Sequence, residues 1–208
     1  MISPQFRKAI RWFALLATGV ALFGCIGKSS PQVTFYSLLS MEQIGTTVAA
    51  PAGSDLKIGI GPITIPEALK RAQIVTRDAH NVYRFDEYHR WAGTLDKDIA
   101  TILGDNLGDL LGTDKVASFP WMLHFKPTHR VIVDITQFDG ELAGEAVLSA
   151  RWTIIDQGGT ASLASGRSVF RQTAEGSDYT ALVKAESLLL ADLSREVAQT
   201  IRNLPAQK

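Results

Sequence analysis

Residues 130–172 read RVIVDITQFDGELAGEAVLSARWTIIDQGGTASLASGRSVFRQ and carry the plainest structural signal of the chain. Apolar and polar residues alternate within 130–138, 146–155 and 163–172, which is the period of a strand with one buried face. The pairs Asp-Gly and Gly-Gly, which favour turns, separate the three runs. The stretch therefore predicts a meander of three antiparallel strands.

Two amphipathic helices are predicted on either side of the meander. Leucine and isoleucine recur at three- and four-residue spacing through 95–111, and leucine, valine and isoleucine do so through 178–203, which is the pattern of a helix with one apolar stripe. Gly112 stands where the first helix should end, because glycine readily adopts the left-handed conformation of a helix terminus. Neither stripe is stable in water, so each helix is expected to pack on a sheet.

The remaining strands are expected upstream of the first helix, at 33–39, 56–65, 73–77 and 81–86. The last two should form a hairpin around a turn at 78–80. The whole pattern predicts an α/β domain with a mixed, largely antiparallel sheet of about five strands and two main amphipathic helices.

Gly59 and Gly61 begin like a dinucleotide fingerprint, but the third glycine is missing and Pro62 and Pro66 prevent a helix from starting there. A phosphate cradle needs a strand, a glycine turn and a helix N-terminus in immediate succession. The sequence favours instead a strand whose glycines permit a close approach of other groups to the backbone.

The first 24 residues have the organisation of a bacterial signal peptide. Three basic residues lie within the first eleven positions, residues 12–23 are uncharged and apolar, and Gly24 follows. An apolar stretch of this length would span roughly 20 Å as a helix, which is short of a hydrocarbon core of about 30 Å. We therefore predict a cleaved signal at residues 1–24.

Cys25 is the only cysteine of the chain. Leu-Phe-Gly-Cys at 22–25 resembles the lipobox of bacterial lipoproteins, which implies a diacylglycerol on the Cys25 sulfur and an N-acyl chain such as palmitate on the new amino terminus. Ile26, rather than Asp, follows the cysteine, and by similarity to enterobacterial lipoproteins this implies the periplasmic face of the outer membrane. The alternative is cleavage elsewhere, with Cys25 as a free thiol. Residues 25–32 then form the lipidated cysteine and a short tether, and residues 33–208 a single periplasmic domain.

The charge balance excludes nucleic acid as a partner. Three of the 21 basic residues and none of the 21 acidic residues lie in residues 1–24, so the remainder carries 18 basic and 21 acidic residues. A nucleic-acid-binding domain is expected to be basic, and the same count predicts no polybasic surface for anionic lipids. The four histidines lack metal-ligand spacing, so neither a metal nor another cofactor is expected.

Two aromatic stretches stand beside turn residues, namely 88–91 (YHRW) and 119–123 (FPWML). Each is either a lid on the core or a contact surface, since Trp, Tyr and Arg are favoured binding anchors. The carboxylates at 86, 87, 96 and 98 are either a solvated loop leading into a helix or an acid/base pair. The sequence lacks a Gly-x-Ser-x-Gly nucleophile motif, and no enzymatic activity is predicted.

Several stretches together resemble the ABC-type transport auxiliary lipoproteins, which include the paraquat-inducible protein C lipoproteins. The matching residues are FYSL at 35–38, GIGP at 59–62, PEALKR at 66–71, QIVTR at 73–77, HRWA at 89–92, FPW at 119–121 and the terminal leucine-rich helix. The resemblance implies a three-layer α/β fold and a non-catalytic docking role in an intermembrane lipid transport system. It also implies a substrate-binding partner with mammalian-cell-entry (MCE) domains, an inner-membrane permease with its ATPase, and possible homo-oligomers.

On the family-like motifs, the candidate partner-binding residues are Arg77, His89, Arg90, Trp91 and Trp121. Two other functions stay open at this stage. One is a different outer-membrane lipoprotein, acting in envelope assembly or as an activator of cell-wall synthesis. The other is a periplasmic hydrolase.

Overall fold

The computed structural model describes residues 31–46, 55–78 and 80–205, so the predicted signal peptide and Cys25 lie outside the described residues. The elements in chain order are β1 (Thr34–Tyr36), β2 (Ile58–Thr64), a short 3-10 helix (Glu67–Leu69), β3 (Gln73–Arg77), β4 (Tyr83–Trp91), α1 (Leu95–Leu111), β5 (Val116–Ser118), β6 (His129–Gly140), β7 (Glu145–Ile155), β8 (Ser162–Thr173) and α2 (Tyr179–Asn203).

The predicted meander is confirmed, with each strand one to three residues longer than expected. β6 pairs antiparallel with β7 and β7 with β8, and the register places Val133 opposite Trp152. Along β6, Val131, Val133 and Ile135 are buried, whereas Asp134 and Thr136 between and beyond them are exposed. The alternation thus buries one face of the sheet.

The sheet branches at β6, and this overturns the expected count of about five strands. The edge of β6 that faces away from β7 pairs in parallel with β2 from His129 to Asp134, and then with β3 at Gly140. β5 extends the first branch, and β4 with β1 extends the second, giving eight strands. β5, which the sequence pattern did not predict, has three residues, which is too short for alternation to be visible in the sequence.

Both predicted helices are present. α1 spans the predicted residues and ends at Gly112, which has the expected left-handed conformation (φ 63°). α2 begins after Asp178, whose side chain accepts a hydrogen bond from the Ala181 backbone N–H at 2.8 Å. None of the described helices is long and apolar enough to cross a bilayer.

The two helices lie side by side. α1 contacts β2 and β5, α2 contacts β6, β7 and β8, and the helices contact each other. Because α1 and α2 contact each other and both pack on the sheet, they lie on the same face of it. A third layer on the opposite face, which was expected, is therefore not confirmed among the described residues.

Residues 38–41 run between the helices, and they shorten the strand expected at 33–39. The backbone N–H of Leu38 donates to Asp98 Oδ2 at 2.8 Å, that of Leu39 to Ser187 Oγ at 3.0 Å, and that of Met41 to Asn106 Oδ1 at 2.8 Å. Because these donors are used by helix side chains, they cannot join a sheet ladder, and β1 ends at Tyr36.

Candidate docking surface

The predicted β3–β4 hairpin is confirmed, although its second strand covers Tyr83–Trp91 rather than 81–86. One carboxylate organises its turn. Asp78 Oδ1 accepts hydrogen bonds from the backbone N–H groups of His80 and Val82, both at 3.0 Å. The strands pair antiparallel, with Arg77 opposite Tyr83. Between Phe85 and Arg90 the pairing is interrupted, so β4 bulges before it reaches β1.

Large exposed apolar side chains gather along β4 and its neighbour β1. We define the β4 aromatic surface as Phe35, Val82, Tyr83, Phe85 and Tyr88, all of which are exposed. Tyr83 and Phe85 are two residues apart and therefore point to the same side of the strand. β1 pairs only with residues 89–91 of β4, so among the described strands the 83–88 stretch has one open edge.

Two guanidinium groups lie over rings of this surface. The Arg71 guanidinium carbon is 3.8 Å from the centroid of the Phe85 ring, and that of Arg77 is 5.1 Å from the Tyr83 ring. Both distances are within the range of a cation–π contact. The arrangement presents aromatic rings flanked by guanidinium groups, which suits a partner that offers apolar side chains.

Arg77 is held in a buried ion pair. Its Nη2 is 2.7 Å from Asp139 Oδ2, and its Nε donates to Asp139 Oδ1 at 3.0 Å. The Asp139 side chain is 3% exposed and the Arg77 side chain 18%. Gln137 Nε2 donates to the same carboxylate at 3.0 Å. Sequence reasoning singled out Arg77 but could not find its partner 62 residues away.

A second acid, which sequence reasoning also missed, is buried on α2. Glu186 is 1% exposed, and its Oε2 has no hydrogen-bond partner. Burial first, and then the negative charge of Asp139, raise the pKa of Glu186 well above the ordinary value. The local sequence, ALVKAESLLL, gives no signal beyond one acid on an otherwise apolar stripe.

His89 joins three elements through aromatic contacts. Its Nδ1 is 2.7 Å from the Tyr36 hydroxyl, and its ring stacks on Tyr179 with centroids 4.0 Å apart. Burial raises the pKa of both tyrosines, assisted by the Asp178 charge for Tyr36 and by the Asp86 charge for Tyr179. The cluster fastens β1 and β4 to the start of α2.

Arg90 lies at the end of the bulge, half-exposed, beside Phe35. It occupies the register position opposite Phe35 of β1. Its Nη2 donates to Glu87 Oε2 at 2.8 Å and its Nε to the Glu87 carbonyl at 2.9 Å. Arg90 is therefore oriented by Glu87 while remaining accessible at the rim of the β4 aromatic surface.

Trp91 and Trp121 are placed differently from the other predicted residues. Trp91 is 5% exposed and belongs to the core cluster, with its backbone N–H donating to the Ala72 carbonyl. Trp121 lies on the β5–β6 connection and is separated from β4 by β6 in the sheet. His89, Arg90 and Trp91 thus lie together at one end of β4, Arg77 lies at the other end of the β3–β4 pair opposite Tyr83, and Trp121 lies apart from all four.

The β5–β6 connection folds over β2 at Gly59. A Cβ atom built on Gly59 would lie 3.0 Å from the side chains of Trp121 and Pro127, so the close approach predicted for these glycines is confirmed. The Phe119 N–H donates to the Ile60 carbonyl at 2.7 Å, and the Phe119 and Trp121 rings meet edge to face. Trp121 is half-buried, whereas the other large apolar side chains of the stretch are exposed, namely Phe119, Met122 and Leu123. The sequence left open whether residues 119–123 form a lid or an exposed surface, and the stretch contains both.

A model of a known protein family matches most of this chain. The family model for the ABC-type transport auxiliary lipoprotein component matches residues 36–198, a range that contains β2 to β8, α1 and most of α2. The chain belongs to this family. The resemblance inferred from the sequence is therefore confirmed. The family comprises auxiliary components of transport systems rather than enzymes.

Curated relatives agree with the assignment, and solved structures agree with the fold. The intermembrane transport lipoprotein PqiC of Escherichia coli (strain K12) is 27% identical over 200 residues, covering 94% of this chain and 99% of PqiC, and PqiC of Shigella flexneri gives the same values. The crystal structure of protein XCC0632 from Xanthomonas campestris has a TM-score of 0.64 at 12% identity, covering 82% of this chain and 97% of that one. An uncharacterized protein of known crystal structure gives a TM-score of 0.65 at 19% identity, covering 82% and 99%.

No cluster of His, Cys, Asp and Glu suited to a metal ion occurs within residues 31–46, 55–78 and 80–205. The chemistry that the β4 aromatic surface offers is that of contact: rings, guanidinium groups and an open strand edge.

Proposed function

We propose that this chain is a lipid-anchored docking component of an ABC-type intermembrane lipid transport system. Cys25 carries the diacylglycerol and N-acyl chains that hold it at the periplasmic face of the outer membrane. Its partner is a substrate-binding protein with MCE domains, and the chain itself catalyses no reaction. Membership of the transport auxiliary family and the lipobox-like sequence support this proposal.

The observation that carries the docking role is the β4 aromatic surface. Monomeric proteins seldom expose several large apolar side chains side by side unless another molecule covers them. Arg71 and Arg77 lie over its rings, Arg90 stands at its rim, and aromatic and arginine side chains dominate binding hot spots. The open edge of residues 83–88 can also accept a strand of the partner. His89 and Trp91 hold this strand in place from behind.

The test is recovery of the partner from detergent extracts with a tagged, natively expressed chain. The wild-type protein should recover an MCE-domain protein. Phe85→Ser combined with Tyr88→Ser removes two exposed rings. The truncation of a hot-spot aromatic typically costs about 2 kcal/mol, or about 30-fold in affinity, so the double variant should bind about 1,000-fold more weakly and recovery should be lost. The matched control is Val169→Ser, which changes an exposed apolar residue of β8.

The anchor is tested separately. Mass spectrometry of the native protein should find residue 25 as the acylated amino terminus, and a wash with 0.5 M salt should release Cys25→Ala, but not the wild-type protein, from the membrane fraction. A bare thiol on a soluble native protein would remove the anchor from the proposal. If the Phe85→Ser, Tyr88→Ser variant recovers the partner as well as Val169→Ser does, the β4 aromatic surface is not the docking site.

A homo-oligomer is included in the proposal because of β8. This strand has 12 residues, pairs with β7 on one side, and has no partner on the other side among the described strands. Long unpaired strands tend to join a second strand unless they are protected. Mass photometry of the acylated protein in detergent should give a mass above that of one chain.

A further inference from the structure

The β5–β6 connection carries the two most exposed large apolar side chains of the described chain, Leu123 and Met122, with Phe119 nearby. Leu123 is 99% exposed, Met122 72% and Phe119 55%. We call residues 119–126 the apolar loop. Its exposed tip is held by a firm base: Trp121 packs on Gly59, the Phe125 N–H donates to the Met122 carbonyl at 2.9 Å, and Pro127 is buried. The apolar tip is therefore presented by packed structure.

The charges around the apolar loop are predominantly positive. From Lys115 to Val133 the sequence holds three cations and two histidines but no carboxylate. Lys126 is exposed, and so is Lys57, whose backbone pairs with Thr128 at the base of the loop. The overall negative balance of the mature chain thus conceals a local surplus of positive charge.

The carboxylates nearest to the loop in the fold only partly offset this surplus. Asp55 is paired with Lys115 at 2.9 Å, and Asp156 accepts backbone N–H groups of its own turn. Asp114 is exposed beside Lys115, and Asp96 lines a surface pocket together with Phe119 of the loop. Lys57 and Lys126 form no ion pair among the described residues, although Lys57 lies close enough to Asp55 for its charge to help lower the pKa of that carboxyl.

We propose that the apolar loop inserts into the interfacial region of a bilayer that contains anionic phospholipids. Leu123 and Met122 would enter the boundary between headgroups and acyl chains, Trp121 would position the loop, and Lys57 and Lys126 would meet the headgroup phosphates. An exposed apolar tip with cations beside it and no carboxylate within it is the composition that such interfaces select.

The bilayer fits these observations better than a protein groove does. Leu123 projects from the surface almost without a contact, and a fluid lipid phase can receive such a projection without a preformed cavity. The lipid anchor of the proposed function would keep the domain close to a bilayer, because the eight residues from Cys25 to Gln32 reach at most about 30 Å. The loop's own affinity does not depend on the anchor, and so the two can be tested apart.

The experiment measures vesicle binding of the unacylated chain, residues 25–208 with Cys25→Ser. All residues of its hydrophobic core lie between Leu38 and Ile201, so this chain retains the whole core. Co-sedimentation uses vesicles of phosphatidylethanolamine and phosphatidylglycerol, and vesicles of phosphatidylcholine alone. We expect binding to the anionic vesicles that 0.5 M salt weakens, and little binding to phosphatidylcholine.

Met122→Ser with Leu123→Ser should weaken binding to the anionic vesicles by about 100-fold, since each buried apolar side chain is worth roughly a factor of ten. Val169→Ser, with an exposed valine on another part of the sheet, should bind like the parent chain. Lys57→Gln with Lys126→Gln should lower binding to the anionic vesicles and reduce its salt dependence. Circular dichroism confirms that each variant is folded.

Absence of binding by the parent chain, or equal binding by the Met122 and Leu123 double variant, would overturn the inference. Loss of MCE-protein recovery by that double variant, with vesicle binding unchanged, would make the loop a protein contact and also overturn it. The proposed function is tested by partner recovery in detergent extracts, which depends on Phe85 and Tyr88. It can therefore fail or hold independently of the vesicle-binding result.

Discussion

Replacing Arg77 by leucine should destabilise the fold, because it leaves the Asp139 carboxylate buried without its cation. The carboxylate would lose its contacts to Nε and Nη2 and keep only the Gln137 amide at 3.0 Å. Removal of one partner from a buried pair costs about 3–5 kcal/mol. Since the Arg77 side chain is 18% exposed, we expect the lower end, about 3 kcal/mol of unfolding free energy.

The assay is urea unfolding of residues 25–208 with Cys25→Ser, followed by tryptophan fluorescence and far-ultraviolet circular dichroism. Arg151→Leu is the matched control, because it removes an arginine from an exposed pair with Asp134, in which the side chains are 60% and 52% exposed. That change should cost less than about 1 kcal/mol. Adding Asp139→Asn to Arg77→Leu should recover part of the loss, because the buried charge is then gone.

The outcome also separates two roles for Arg77. If Arg77→Leu unfolds at the same urea concentration as Arg151→Leu, the ion pair contributes little to stability, and our reasoning about Asp139 is wrong. Arg77 would then act through the partner alone, and its substitution would reduce partner recovery from a fully stable protein. A destabilised variant instead identifies Arg77 as a residue that positions β3 and the Tyr83 ring beside it.

Two further changes test buried features. Burial raises the folded-state pKa of Glu186 above its unfolded value, so the folded protein binds the extra proton and stability should decline as the pH rises above about 4.5. The slope from this group is at most about 1.4 kcal/mol per pH unit. Glu186→Gln should reduce the decline in urea titrations at pH 4.5 and 7.5, with the remainder due to Asp98 and Asp105, whose pKa values burial also raises; an unchanged pH profile would contradict this expectation. Gly59→Ala should displace Trp121, since the new Cβ would lie 3.0 Å from the indole, and should cost about 1–3 kcal/mol; unaltered fluorescence and melting temperature would show that the loop yields freely.

Local patterns in the sequence were sufficient for the elements that pack through local periodicity. α1 is predicted to the residue and Gly112 adopts the expected left-handed conformation, because a stripe every three to four residues and a terminal glycine are both local signals. The β6–β8 meander is recovered for the same reason, with strict alternation between clear turns.

The sheet branch and the surface could not be predicted from such patterns. β5 has three residues, and the parallel pairings of β6 with β2 and β3 join segments more than 60 residues apart, with no periodicity to reveal them. The Arg77–Asp139 pair is equally non-local. The motif around Trp91 attracted notice for its aromatic and basic residues, yet Trp91 is a core residue while Tyr83 and Phe85 in the same strand are exposed, a difference set by packing.

The fastening of residues 38–41 has a mechanical consequence. Tension applied to the amino-terminal end of the domain would first peel β1 from β4, because only three residues are paired there. Strand separation would then stop at Leu38. From there side chains of both helices accept hydrogen bonds from the backbone, and the Leu38 and Met41 side chains are buried. Beyond that point the force is distributed over α1 and α2, so the domain can bear tension without unfolding.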